Sequence, residues 1–535
     1  MNTKSFPFKL CLSVLIVIFG FYINYYYANK GLYPIDTFSF FDTGYYTAKG
    51  YHPVKDFWVI SGILIDYIQA FFFNIFGFNW NAYVFHASFF NIIISLFFFY
   101  FLNQFSEKII FNFFLSICVA VLCYPVAGTP FPYQHSFILS LISLLIFYLA
   151  INKDNKIYWF ILPFLMLLSF LSMQLPSGII NLLIIIFALF YFISFDKFYL
   201  KYFVLGSFLS LIIFFSYFLI TKVSIDDFFT QIILFPLTLG QGRIINEESA
   251  FESAKLINKL TLRGTLGHFK FINIFLFANI VLMIFHVKKN LKKFKLDRII
   301  FVNVFILFCT IGFIFHQLIT ANQTFIFSLV PILCGLLMIQ IDKFKLLKNK
   351  NSIQLFLFIL ILFVTVKYHL VYNEKRKFMD LQNVNLSSAL SSRILSDKFN
   401  NLLWVTPYYY SKSPKIELDL LNQSIKIIKK DPNEKMLITH YQFFSLLIDD
   451  DLNIPNRWYF PNNTFPSSKE NKYYDDYIKK FNEKLNEKKV NVIYIAETFP
   501  GEFKFLNFKD LLQKRCFEKK EYNKILYSIK IKNCI

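Results

Sequence analysis

The length of the hydrophobic runs constrains the fold of this chain more than any other feature. Between residues 8 and 371, runs of roughly 16–25 apolar residues recur with almost no charge inside them. That is the length needed to cross roughly 30 Å of hydrocarbon as a helix that rises about 1.5 Å per residue. Of the 535 residues, 56% are hydrophobic and only 17% are charged, whereas about a quarter of a soluble protein is charged. The sequence therefore predicts a polytopic α-helical membrane protein.

Eleven of these runs are predicted to be transmembrane helices. The first is interpreted as an uncleaved anchor, because its apolar run is long for a secretory signal and no A-x-A cleavage site follows it. The predicted spans lie near residues 8–28, 79–103, 109–124, 136–151, 157–173, 178–195, 198–221, 271–287, 299–317, 322–341 and 352–371.

Basic residues divide the connections between these spans into two groups. One group carries Lys108, Lys153, Lys156, Lys197, Lys201, the dense run 288–298 and the lysines of 343–350. The opposite short connectors, 125–135, 174–177 and 318–321, hold no Lys or Arg. Because basic loops remain in the cytoplasm, we expect a multi-pass protein of the bacterial cytoplasmic (inner) membrane. Its amino terminus would be cytoplasmic and its carboxyl-terminal domain extracytoplasmic. The net charge of +21 is thereby explained by topology and a lysine-rich composition, and we expect no nucleic-acid partner.

Two domains follow from this division. Residues 1–372 form the transmembrane domain, with outer loops at 29–78 and 222–270, and residues 373–535 form a small extracytoplasmic α/β domain. Within the small domain we expect strands at 436–441 and 490–495, an amphipathic helix at 471–489 and an edge strand at 524–532. Its polar run Asp449–Asp451 is interpreted as solvated. Cys516 and Cys534 flank the last strand in an oxidising compartment, where either a disulfide or two free thiols fits the sequence.

The first outer loop carries four carboxylates, those of Asp36, Asp42, Asp56 and Asp66. Breakers at Gly50 and Pro53 divide it into a helical piece over 37–49 and a second helix with Ser61 as its N-cap. The second helix has apolar residues on one face and Asp66 and Gln69 on the other. We expect it to lie in the membrane interface, with Asp66 in solvent.

The same loop has the form Asp…Gly-x-x-Pro-x-x-Asp-Phe…Gly-x-Leu…Tyr…Phe-Gly. Together with about eleven spans, it resembles the GT-C superfamily of membrane glycosyltransferases, which includes protein O-mannosyltransferases and the aminoarabinose transferase of lipid A. The resemblance covers the membrane part and is specific in this loop. The matching positions are Asp36 or Asp42, Gly50, Pro53, Asp56, Phe57, Gly62, Leu64, Tyr67, Phe76 and Gly77.

The resemblance implies a GT-C-like membrane fold whose loop frames a cavity at the outer face. A polyprenyl-phosphate-linked sugar donor would enter from the membrane lipid, and a loop aspartate would act as general base on the acceptor hydroxyl. Asp36 and Asp42 are the candidates for this catalytic role. Many relatives place a second acid beside the first, whereas Thr37 follows Asp36 here, so the choice between the two stays open.

Further polar residues are candidates for substrate binding. Asp56 could bind the acceptor, His135 and Gln134 stand at the entrance of a span, and Arg243 has the guanidinium geometry that suits phosphate. His316, Gln317, Asn322 and Gln323 form a polar break between two spans, where such groups usually line a cavity. Met173 replaces the Lys of a Lys-Gln-x-Pro element in relatives. No cofactor is expected and no metal site is assigned, although a divalent metal is not excluded.

Three functions remain open on the sequence alone. The first is a glycosyltransferase that moves a sugar from a polyprenyl-phosphate donor to an extracytoplasmic glycan, lipid or protein. A transporter or flippase of lipid-linked saccharides would instead place ionisable residues deep within the spans and show repeat symmetry. A non-catalytic membrane assembly protein would only present the extracytoplasmic domain.

Overall fold

The computed structural model describes residues 6–30, 37–239, 261, 263–267, 269–289, 297–320, 326–344, 350–374, 386–405, 413–513 and 515–532. Several residues singled out from the sequence lie outside these ranges, namely Asp36, Arg243, Asn322, Gln323 and Cys534.

Each predicted span coincides with a helix. Eight helices of the described residues are long and apolar enough to cross a membrane, which is compatible with a multi-pass membrane protein. They are Phe6–Ala28, Trp80–Asn103, Pro132–Asn152, Gln174–Ser194, Lys197–Thr221, Lys270–Lys288, Arg298–Ile319 and Asn351–Asn373. The other three predicted spans are shorter helices, Ile109–Cys123, Lys156–Ser172 and Leu329–Phe344. The total of eleven spans therefore stays a prediction.

Helix Pro132–Asn152 lies at the centre of this bundle. Its most apolar segment is completely buried, whereas those of Phe6–Ala28 and Lys197–Thr221 are only 17% buried. Side-chain amides join the helices: Asn91 donates to the carbonyls of Gly20 at 3.0 Å and Ala120 at 3.1 Å. The central helix is thus enclosed by protein, while the outer helices present apolar surface as helices in lipid do.

Basic residues of four described connectors, Lys108, Lys153, Arg298 and Lys343, lie together at one end of the bundle, here called the basic end. Arg298 pairs with Asp154 at 2.8 Å, and Lys108 pairs with Asp342 at 3.6 Å. The opposite end, here called the domain end, carries the loop that follows the first helix and the whole carboxyl-terminal domain. There the Leu403 N–H donates to the carbonyl of Asn29 at 2.7 Å. These four basic connectors therefore lie at the end of the bundle away from the carboxyl-terminal domain, and the predicted topology as a whole stays a prediction. The membrane face that each end meets stays a prediction.

The carboxyl-terminal domain contains a four-stranded sheet in the order β3-β4-β6-β5. Strands β3 (Lys435–Thr439) and β4 (Val492–Ala496) are parallel, and β6 (Leu526–Lys532) is antiparallel to both β4 and β5 (Cys516–Glu521). The predicted strands and the small sheet are therefore present. The segment predicted as an edge strand instead lies inside the sheet as β6. The edge on that side of the sheet is β5, whose charged and largely exposed residues suit an edge better.

The described part of this domain also contains four α-helices, three short 3₁₀ helices and one further pair of strands. Helix Tyr474–Glu487 confirms the predicted amphipathic helix, and helix Pro414–Lys430 was not predicted although Ser413 and Pro414 form a regular helix start. Cys516 takes part in a disulfide, while Cys534 lies outside the described residues. The other two α-helices are Phe444–Ile448 and Phe508–Leu511, and the further strands are the short antiparallel β1 (Leu390–Ser391) and β2 (Leu403–Trp404).

The loop between the first two long helices shares a hydrophobic core with the carboxyl-terminal domain. We call residues 37–79 the long loop. The ring of Phe38 lies 4.9 Å from that of Phe443 and 6.1 Å from that of Trp404, and Phe41 lies 5.5 Å from Phe399. The long loop therefore packs against the carboxyl-terminal domain as well as against the helical bundle.

The long loop contains helices Phe41–Ala48 and Ile63–Phe76, as its pattern predicts. The second begins after Gly62, whose φ of +74° and contact with Phe40 exclude a side chain, so Ser61 is not its N-cap. Phe71 on this helix is 59% exposed, whereas Asp66 and Gln69 are fully buried. The expectation that Asp66 lies in solvent is wrong, because its face of the helix meets the bundle and the carboxyl-terminal domain.

Candidate functional site

Asp42 lies at the joint between the long loop and the carboxyl-terminal domain. Its buried carboxylate accepts the backbone N–H of Ser445 at 3.1 Å and that of Leu446 at 3.0 Å. These N–H groups belong to the first turn of helix Phe444–Ile448, where they have no partner within the helix. Burial raises the pKa of Asp42 to about 7, and the two N–H donors oppose this rise. The geometry makes Asp42 a cap across two segments of the chain, and its role as a general base stays a prediction.

Tyrosines of the long loop join the same part of the carboxyl-terminal domain. Tyr46 shares a hydrogen bond of 3.0 Å with Ser445, and Tyr45 donates to Asp449 at 2.9 Å. Tyr51 donates to Asp451. Two carboxylates of the run predicted to be solvated, Asp449 and Asp451, therefore bind the long loop.

A fully buried ion pair joins the helix Ile63–Phe76 to the same domain. Arg457 and Asp66 are both 0% exposed, and the guanidinium also donates to the carbonyl of Ser61. The Arg457 guanidinium lies 4.3 Å from the ring centre of Phe40. Burial raises the pKa of Asp66 to about 6 and lowers that of Arg457, although each charge opposes the shift of the other. Both pKa shifts show that burying this ion pair costs free energy. The pair therefore fixes the position of the helix more than it stabilises the fold.

His135 belongs to a buried chain of polar side chains at the domain end of the bundle. Its Nε2 lies 3.0 Å from Nε2 of His86, whose Nδ1 lies 3.0 Å from the amide of Gln69. The Nδ1 of His135 faces the carbonyl of Phe131 at 2.8 Å, so this nitrogen carries the proton. The chain of contacts therefore runs from the carbonyl of Phe131 through His135 and His86 to Oε1 of Gln69.

Gln134 and the pair His316 and Gln317 also lie at the domain end, on helices that contact each other. Gln134 donates to the carbonyl of Cys123, near the end of helix Ile109–Cys123, and this is a structural contact. The ring of His316 lies 5.4 Å from that of Tyr133, and the Gln317 amide lies 3.1 Å from Nδ1 of His316. The structure therefore brings the segments around residues 134 and 316 together.

Asp56 lines a cleft of about 240 Å³ between the long loop and the carboxyl-terminal domain. Its carboxylate accepts the backbone N–H of His52 at 2.6 Å, which closes the turn at residues 52–56. The cleft begins next to the bundle, where Lys55 donates to the carbonyl of Thr221 at 3.4 Å. It is lined by Tyr51, Lys55, Asp56, Phe57, Trp58, Asp227, Pro455, Tyr477, Lys480, Phe481, Glu483, Lys484, Glu487 and Lys488.

Among the predicted site residues that the structure describes, Asp56 alone lines this cleft. Asp42 faces the helix at Phe444–Ile448, and His135, Gln134, His316 and Gln317 lie within the bundle. The sequence prediction missed Arg457 and Lys484, which bind the long loop from more than 390 positions away along the chain. A signal for Lys484 existed, because Lys480, Lys484 and Lys488 recur every four residues on the predicted helix.

The described part of the chain contains no cluster of three or more His, Cys, Asp or Glu residues that could hold a metal ion. No model of a known protein family matches the chain, and no curated protein matches it.

Proposed function

We propose that the chain is a membrane glycosyltransferase that moves a sugar from a polyprenyl-phosphate donor to an acceptor outside the cytoplasmic membrane. The observation that supports this most is the position of the cleft. One of its walls is the long loop, whose Lys55 donates to Thr221 at the end of the candidate membrane helix Lys197–Thr221. A lipid-borne donor and a water-soluble acceptor can meet at such a junction.

The chemistry of such a transfer fits candidate residues of this chain. A sugar joined through phosphate has a good leaving group, so transfer needs an activated acceptor hydroxyl and compensation of the departing negative charge. In our proposal Asp36 activates the hydroxyl, and Asp56 is the acid of the cleft that binds the acceptor. Arg243 remains our candidate for the phosphate, since guanidinium binds two phosphate oxygens at once.

A flippase of lipid-linked saccharides is the second candidate, and one observation favours it. The buried pair His86 and His135 lies within two helices of the bundle, where ionisable residues often mark a transport path. Both residues lie in the first two turns of their helices at the domain end, however. Transporters bind their substrates near the middle of the bilayer, so we rank this function second.

The proposal is tested with purified full-length protein in lipid nanodiscs and a radiolabelled polyprenyl-phosphate sugar. We expect Asp36→Asn to reduce sugar transfer by roughly 100-fold or more, the range for a lost general base. Asp154→Asn, at the basic end, is the matched control and should transfer at the wild-type rate. If the folded wild type and the folded Asp36→Asn variant transfer sugar at the same rate, Asp36 is not the general base.

A further inference from the structure

The cleft presents a row of lysines to the long loop. Lys480, Lys484 and Lys488 follow one another at intervals of four residues, so they lie on one face of the helix Tyr474–Glu487 and its C-cap. Opposite them stand Tyr51 and Asp56 of the long loop. The chemistry of the cleft therefore depends on which of these ammonium groups are already neutralised.

Two of the three lysines have a carboxylate partner. Lys480 pairs with Asp227 at 2.8 Å, and Lys488 pairs with Asp451 at 3.3 Å. Lys484 differs, because it donates to the main-chain carbonyls of Asp56 and Ile454. No carboxylate among the described residues accepts a hydrogen bond from it. An ammonium group has three donors, so Lys484 keeps one N–H for a ligand in the cleft, and its two hydrogen bonds go to neutral carbonyl groups.

The surroundings of Lys484 oppose its charge. Burial lowers the pKa of Lys484 to about 8, and Lys480 and Lys488 act in the same direction, while Asp451 and Asp56 oppose the shift. The remaining acids of the cleft, Glu483 and Glu487, are exposed on its rim. A ligand with a negative group would offset the cost of burying this ammonium group.

Aromatic rings form the rest of the wall. Tyr51, Trp58 and Tyr477 line the cleft, and the rings of Trp58 and Tyr477 meet edge to face at 5.4 Å. Trp58 is only 4% exposed, and its Nε1–H has no acceptor among the described residues. A buried N–H of this kind usually has a partner. A ring-shaped ligand in the cleft could cover the apolar ring faces that line its wall.

We propose that the cleft binds a saccharide that carries a carboxylate or phosphate group, with the anionic group on Lys484 and the sugar ring against Tyr51 and Tyr477. We further assign this acidic saccharide as the acceptor of the transfer, a step that rests on the proposed function. The binding itself does not depend on that function, so the two can fail separately.

Binding is measured by calorimetry on the full-length protein in nanodiscs, with glucuronic acid, glucose 6-phosphate, glucose and inorganic phosphate as probes. We expect one of the two acidic sugars to bind roughly tenfold or more tightly than glucose, and which one binds distinguishes carboxylate from phosphate recognition. Inorganic phosphate that binds as tightly as glucose 6-phosphate would show a simple anion site and would overturn the role of the sugar ring.

The variant Lys484→Met removes the charge and nearly preserves the length of the side chain. It should weaken binding of the acidic sugar by roughly tenfold or more. Lys479→Met is the matched control on the same helix, because Lys479 is 76% exposed and does not line the cleft. Equal binding by wild type and Lys484→Met would overturn the proposal. Donor hydrolysis without acceptor should persist in Lys484→Met, which separates failure of acceptor binding from failure of the proposed function.

A second measurement needs no variant and therefore does not depend on how Lys484→Met folds. Affinity of the wild type for the acidic sugar should fall between pH 7 and pH 9, as the Lys484 ammonium loses its proton near pH 8. The groups that face it are Tyr51, Lys55 and Asp56 of the long loop, Asp227, Asp451, and Lys480, Glu483, Glu487 and Lys488 on or beside its own helix. Of these, Tyr51 has a raised pKa and stays protonated, and the pKa of Lys480 is lowered, so its loss of charge would add to the fall. Affinity that stays constant from pH 7 to pH 9 would contradict binding through Lys484.

Discussion

At the scale of single residues, Asp42 shows how a polar side chain can carry structure rather than chemistry. Its position in an acid-bearing loop was visible in the sequence. Its partners were not, because Ser445 and Leu446 lie 403 and 404 positions away. The same distance hides the contact between Arg457 and Asp66, which are 391 residues apart. Local patterns predict which residues are polar, whereas the pairing of buried polar groups depends on the tertiary fold.

Asp42→Asn is expected to destabilise the protein by about 1–3 kcal/mol, because an amide offers one acceptor to the two N–H groups of helix Phe444–Ile448. The folded-state pKa of Asp42, about 7, lies above the ordinary aspartate value of 3.8, so the folded state binds the proton more tightly than the unfolded state. Protonation of Asp42 therefore stabilises the folded state. This stabilisation is complete below about pH 4 and is lost as the pH rises through 7. The difference in melting temperature between wild type and Asp42→Asn should therefore be larger at pH 5 than at pH 8. A variant that melts like the wild type but has lost sugar transfer would instead support the general-base role.

At the scale of elements, the helices follow directly from the sequence. Long apolar runs predict their positions to within a few residues, because each helix satisfies its own backbone hydrogen bonds. The order of the strands was harder to predict. The alternating residues of β6 indicate a strand, but contacts across the sheet decide that β4 and β5 are its neighbours. The joint between the long loop and the carboxyl-terminal domain was not predicted at all, because it depends on rings such as Phe38 and Phe443 that are ordinary core residues in the sequence.

The buried ion pair holds helix Ile63–Phe76 against the carboxyl-terminal domain. Arg457→Met should destabilise the protein by about 3–5 kcal/mol, because it leaves the Asp66 carboxylate buried without a counter-charge. The double variant Asp66→Leu with Arg457→Met removes both charges and should recover most of that loss. Thermal unfolding of the two single variants and the double variant measures the coupling. Additive losses in the double variant would show that the two residues act independently.

At the scale of the whole molecule, the proposed function depends on which side of the membrane each end of the bundle faces. A cysteine at position 479, in the carboxyl-terminal domain, should react with a membrane-impermeant maleimide on intact cells. A cysteine at position 153, at the basic end, should react only after the cells are opened. Both native lysines are exposed, so access within the protein does not limit either reaction. Labelling of both positions from the same side would contradict the proposed topology.

The fate of the lipid-linked donor tests the central claim most directly. Full-length protein in proteoliposomes is given a polyprenyl-phosphate sugar with the label in the sugar, and both the label and the carrier lipid are followed. A glycosyltransferase separates the two, so we expect labelled sugar on an acceptor or in water and free polyprenyl phosphate in the membrane. Movement of the intact lipid-linked sugar from one leaflet to the other, without separation of sugar and lipid, would contradict the account and favour a flippase.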